Sequence, residues 1–126
     1  MFNDVRRAVR IMVESVSPTD SIKELVIFDD QGLPVHIEQG RANEATVARL
    51  GELVRVLPEL SSEIFDKNAD SFDIRIGREI IVLRRVSGNL WGAAFVEKKA
   101  MKKLVLRAPI SDRDEKKPWM VEEERI

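Results

Sequence analysis

The stretch Asp66-Lys67-Asn68-Ala69-Asp70 sets oxygen-bearing side chains at alternate positions, as the opening of an EF-hand calcium loop does. Such a loop also needs a glycine at its sixth position for the sharp turn and a bidentate glutamate at its twelfth. Here those positions are Ser71 and Gly77, so the segment reads as a helix-to-strand turn. His36 is the only histidine and there is no cysteine. That excludes a multi-histidine metal site, a thiolate nucleophile and a cysteine-based zinc or iron–sulfur centre. As a general base His36 has no evident orienting partner, and it reads as a strand residue facing solvent or a covering helix. The six glycines never fall as Gly-x-Gly-x-x-Gly, nor as a loop ending Gly-Lys-Ser/Thr. The chain therefore lacks both common devices for cradling a nucleotide's phosphates. No catalytic, metal-ligating or cofactor-binding residue is assigned, no cofactor is expected, and the chain reads as a non-enzyme.

Charged side chains offer a different chemistry, that of recognition. Arg41, Arg49 and Arg55 are candidates for contact with a partner, because an inserted arginine stabilises the charge that develops in phosphoryl transfer. Surface solubility is the bland reading for each. Lys98, Lys99, Lys102 and Lys103 would meet phosphates or an anionic membrane, but on an amphipathic helix such a cluster reads as the solvated face. The formal net charge of −1 supplies no global basic field for nucleic acid. No apolar run approaches the ~20 residues of a membrane span. The opening Met-Phe-Asn-Asp-Val-Arg-Arg leads into an amphipathic helix and not a signal-peptide core. With no cysteine to oxidise, a cytoplasmic and unprocessed protein is expected. Its 126 residues, 44% hydrophobic and 34% charged, suit one domain with a sizeable core. We expect that domain over 1–110, followed by a charged tail, 111–126, in which Trp119-Met120-Val121 is either a docking motif or a loosely packed end.

The elements that would position these groups follow from hydrophobic periodicity. Asn3 is placed to cap a first helix whose Val5, Val9, Met12, Val13 and Val16 fall on one stripe, and Ser17-Pro18 ends it. Leu25 to Phe28 is apolar at every position, as in a strand covered on both faces. Asp29-Asp30-Gln31-Gly32 turns the chain into a second strand in which Leu33, Val35 and Ile37 alternate with Pro34, His36 and Glu38. Pro34 cannot donate to a ladder, which puts that strand at an edge. From about Asn43 to Phe65 the period becomes helical. Val47, Leu50, Leu53, Val54, Val56, Leu57 and Leu60 cover about half the circumference, more than one sheet contact needs. Gly51 at the border of this arc would let another backbone come close, and Pro58 would kink the helix.

A third strand alternates Phe72, Ile74 and Ile76 with Asp73 and Arg75, which marks a second edge. Ile80 to Leu83 is apolar on both faces and reads as interior. After Ser87-Gly88-Asn89 comes a fifth strand, Leu90 to Val96, whose Gly92, Ala93 and Ala94 leave room for helices. A last helix is expected with Ala100, Met101, Leu104, Val105 and Ala108 inward, stopped by Pro109.

This order of helix, hairpin, long helix, three-strand meander and helix resembles the Roadblock/dynein light chain family from about Val5 to Ala108. The residues that carry the resemblance are Leu25-Val-Ile-Phe-Asp-Asp-Gln-Gly-Leu-Pro-Val35 and Ile80-Ile-Val-Leu-Arg-Arg-Val-Ser-Gly-Asn-Leu90. The resemblance implies an α+β (mixed α/β) fold with a five-stranded antiparallel sheet ordered 2-1-5-4-3. The long helix would lie on one face and the terminal helices on the other. It also implies homodimers joined through the long helix and the third strand, and partnership with Ras-like small GTPases or with motor and signalling scaffolds.

The residues agree with a dimer. The third strand has no Pro, no Lys and no bulge signal, so its open edge needs a cover, and a second copy is the simplest one. The interface expected on these grounds comprises Val47, Leu50, Gly51 and Val54 of the long helix and Phe72, Ile74 and Ile76 of the strand. Two other classes stay open. One is a structural adaptor with no preference for its partner's nucleotide state; the other is a small-molecule sensor, which would need a cavity between sheet and helices.

Overall fold

Residues 2–98 and 104–108 are described by the computed structural model, and its architecture starts from one central strand. In β2 (Ile22–Asp29) the run Leu25 to Phe28 is buried at every position, so both faces of the strand need a covering layer. The helix α1 (Phe2–Glu14) supplies one layer, setting Ala8 and Met12 inward at i, i+4. Val5, Val9 and Val13 of the expected stripe lie half-buried at its borders. Two details differ from the sequence reading: Asn3 lies within the first turn instead of capping it, and Val16 falls beyond the helix in the short strand β1 (Val16–Ser17). On the sheet below, a Cβ at Gly92 would overlap the Cγ and Sδ of Met12, which is why glycine suits that position.

The helix α2 (Glu44–Phe65) covers the other face. Asn43 caps it, accepting the Thr46 N–H at 2.8 Å, and the chain leaves it through Asp66 at φ 54°. The helical assignment runs unbroken through Pro58. The strands β3 (Pro34–Gln39), β4 (Ser71–Ile76), β5 (Glu79–Ser87) and β6 (Leu90–Glu97) join β2 in one antiparallel sheet of order β3-β2-β6-β5-β4. Counted over these five strands it is the order 2-1-5-4-3 that the resemblance implies, with β3 and β4 at the edges as the residues indicate. Alternation divides the core in two. Leu25, Ile27, Val82, Ala94 and Val96 face α1, while Val26, Phe28, Leu83, Trp91 and Ala93 face Val47, Leu50 and Val54 of α2.

The expected last helix is corrected in its described part. Residues 104–108 are not helical, and Val105–Leu106 forms a strand, β7, paired with β1. Leu104 and Leu106, two residues apart, both pack against the α1-side core, which is strand spacing and not helix spacing. Pro109 next in sequence disfavours helical geometry at residue 108. Ala100, Met101, Lys99, Lys102 and Lys103, and the tail 111–126, lie outside the described residues.

A candidate protein-binding surface

The apolar arc of α2 is wider than the sheet covers. Val47, Leu50 and Val54 are buried and Leu53 and Leu57 half-buried, but Val56, Leu60, Ile64 and Phe65 are 48%, 41%, 66% and 68% exposed. Val56, Leu60 and Ile64 recur every four residues, so they form one outward stripe. Beside it lies the edge strand. The connection 66–70 leads from α2 into β4, and Phe72 and Ile74 pack into the same cluster as Leu53 and Leu57. Ile76, at the far end of β4, is 65% exposed. Among the described residues β4 has a single ladder neighbour, β5, paired through six consecutive residues without a register shift.

These positions redraw the interface expected from the sequence. Val47, Leu50 and Val54 face the chain's own sheet and are not available on the outside, because the sheet takes that border of the arc. Gly51 is also an internal residue: a Cβ there would come within 2.5 Å of Gly32 Cα. The backbone it admits is the β2–β3 turn of its own chain. On the helix, the outward side chains are Val56, Leu60, Ile64 and Phe65, the last two of which the sequence reading did not single out. Ile64 was legible as the next i+4 step after Leu60.

The side chains of Arg49 and Arg55 are held by separate partners, while Arg41 bonds through its backbone. Arg41 precedes α2, and its backbone N–H donates to Glu24 Oε1 at 3.0 Å. Arg49 donates to both carboxylate oxygens of Glu52 at 3.1 Å and is exposed. Arg55 donates to the Asp30 carbonyl in the β2–β3 turn at 2.6 Å, a bond that helps seat α2 on that turn. Nothing in these contacts gathers the three at one point. His36 lies 2.7 Å from Glu38 Oε2 on the exposed edge strand β3, so it does have a partner, two residues along.

The 66–70 segment is a helix-to-strand turn: Asp70 O accepts the Arg85 N–H at 2.8 Å and Asp70 Oδ1 lies 3.5 Å from Arg85 Nε. Arg85 in turn sits over Trp91, 5.2 Å from its ring centroid, and Phe72 stacks on the same ring at 6.3 Å. At the opposite end of the sheet, Lys23 donates to Glu79 at 3.0 Å and lies 3.6 Å from Glu97. The hydrogen bond and charge of Glu79, with the charge of Glu97, raise its pKa above the ordinary 10.5. The cavity beside it, lined by Ile76, Ile80, Ile81, Phe95 and Val96 among others, holds about 90 Å³. That is well below the roughly 300 Å³ at which small-molecule sites begin.

No protein-family model matches the sequence, and no curated protein matches it either. Solved structures do. A Roadblock/LC7 domain from Streptomyces avermitilis superposes with a TM-score of 0.57 at 10% identity, over 68% of this chain and 72% of that one. The chain has a Roadblock/LC7 fold. MglB of Myxococcus xanthus gives 0.59 at 9% identity, over 75% of this chain and 76% of that one. An MglB described as having a tetrameric arrangement gives 0.58 at 5% identity, over 76% and 71%. At such identities the likeness is one of fold. Within the Roadblock fold, the outward stripe of α2 and the open edge of β4 are features of this chain's own residues.

Proposed function

We propose that the chain is a non-enzymatic module that pairs with a second copy through α2 and β4, and that the pair binds a Ras-like small GTPase as its regulator or platform. One observation carries the reading: among the described residues, the apolar stripe Val56, Leu60 and Ile64, with Phe65 exposed at the helix end, stands uncovered beside the open edge of β4. A row of apolar side chains next to unpaired strand backbone is the combination that a self-complementary, two-fold interface buries. The Roadblock fold and the oligomeric arrangement named for one MglB support the pairing, and the resemblance to the Roadblock family supports the GTPase. Arg49 and Arg55 are bonded within their own chain, so regulation would proceed by shaping the partner's switch loops, with Arg41, whose side chain is exposed, as the one of the three left for insertion.

The test is calorimetry against Ras-like GTPases encoded alongside this chain, each loaded with GDP or with a non-hydrolysable GTP analogue. At least tenfold tighter binding of one nucleotide state is expected. Equal affinity for both states would make the chain a structural adaptor, and no binding to any would remove the GTPase from the reading.

A further inference from the structure

Arg84 is a charged side chain in the core, 1% exposed. Its Nη1 donates to Leu83 O at 2.9 Å and to Phe72 O at 3.2 Å, and lies 2.9 Å from Asp73 Oδ1. Its Nε donates to Arg107 O at 3.3 Å. These acceptors belong to three pieces of chain: β5 itself, the edge strand β4, and the C-terminal segment 104–108. Among the described residues, that segment is also attached to β1 and the α1-side core. Arg107 N–H donates to Ser15 O at 2.8 Å, Val105 and Leu106 pair with Ser17 and Val16, and Leu104 and Leu106 pack against the α1-side core.

A buried guanidinium is tolerable only while its donors are paired, and its hold on a carboxylate is strong only while water is kept out. We propose that Arg84 is a latch coupling the C-terminal segment to the edge strand: lifting 104–108 off β1 opens Arg84 to water and loosens β4. Once Arg107 O is gone, Nε seeks water, the ion pair with Asp73, whose side chain is already 39% exposed, is screened from the Arg84 side as well, and the bond to Phe72 O weakens with it. The biological weight of the latch rests on the reading that β4 carries the dimer, since a partner capturing the C-terminal segment would then act on the dimer edge.

Amide hydrogen exchange on the full chain tests the latch in four versions: unmodified, Arg107→Pro, Arg84→Met and the double substitution. Proline at 107 removes the N–H that bonds Ser15 O and leaves Leu106 in the extended geometry it already has. Arg107→Pro is expected to speed exchange of the β5-bonded amides of β4 at least tenfold while those of β2 keep their protection. In the Arg84→Met background it should add nothing further. Arg84→Lys, which keeps the charge but not the fork, serves if Arg84→Met does not fold, and should cut the effect to under threefold. The latch is overturned if Arg107→Pro affects only residues 15–17 and 104–108, or if it loosens β4 equally with and without Arg84. With each mass fixed by light scattering, a monomer that shows the coupling contradicts only the dimer, and a dimer that lacks it contradicts only the latch.

Discussion

The two edges of the sheet solve the same problem in opposite ways. β3 carries Pro34 and meets β2 through register shifts at Leu25/Val26 and Ile27/Phe28, which bend and interrupt it as a template. β4 pairs with β5 in unbroken register from Ser71 to Ile76, has no proline, and is tied down by Asp73 and Phe72 O on Arg84. A regular and internally braced edge invites another strand; a bulged one with proline does not. Both edges expose apolar side chains, with Leu33, Val35 and Ile37 on or leading into β3, so hydrophobicity alone does not distinguish them. Backbone geometry does.

The comparison breaks most severely where α2 meets the β3 hairpin. Gly51→Glu would drive a side chain into the backbone at Gly32 and is expected to destabilise the fold by at least about 3 kcal/mol, read from the urea midpoint. The loss should appear whether or not the protein is dimeric, because the collision is internal. Next in size, Asp73→Ala would leave Arg84 buried with carbonyl partners only; because Asp73 is itself 39% exposed, the cost is roughly 1–2 kcal/mol in chemical denaturation. A smaller effect on stability but a larger one on assembly is expected from Leu60→Glu with Ile64→Glu. Both side chains are outward, so the monomer should keep its secondary structure by circular dichroism while the dimer dissociates in light scattering.

The smallest effect concerns Lys23. Its raised pKa means that the contribution of its pairing with Glu79 and Glu97 is complete below the ordinary 10.5 and is lost as pH rises through the higher folded value. Since the group is surface-exposed, Lys23→Met should lower the melting temperature slightly at neutral pH. The two melting curves should converge in alkaline solution above 10.5.

Much of this was legible before the structure. The central strand and the two edges followed from local signs, all-apolar Leu25 to Phe28 for the first, Pro34 and the alternation of Phe72, Ile74 and Ile76 for the others, while the full order came from the resemblance to the Roadblock family. The width of the α2 arc correctly announced a helix with apolar surface to spare, but periodicity alone does not say which border of an arc meets the sheet. Val47, Leu50 and Val54 were therefore assigned to a partner when their own sheet covers them. Gly51 was rightly read as a place of close backbone approach, and the approaching backbone proved to be Gly32, a pairing set by tertiary topology. Arg84 was missed although its signal was present: it continues the inward parity of Ile80 and Val82, and Asp73 stands on the α1 side of the neighbouring strand. The strand at Val105–Leu106 was hidden because a two-residue ladder leaves almost no periodicity, and its partner lies some ninety residues upstream.

The central claim, that the stripe of α2 and the edge of β4 are covered by a second copy, is tested most directly by light scattering of the unmodified full chain at micromolar concentration. The account predicts a particle of twice the 14.4 kDa chain mass. A monodisperse monomer would contradict it.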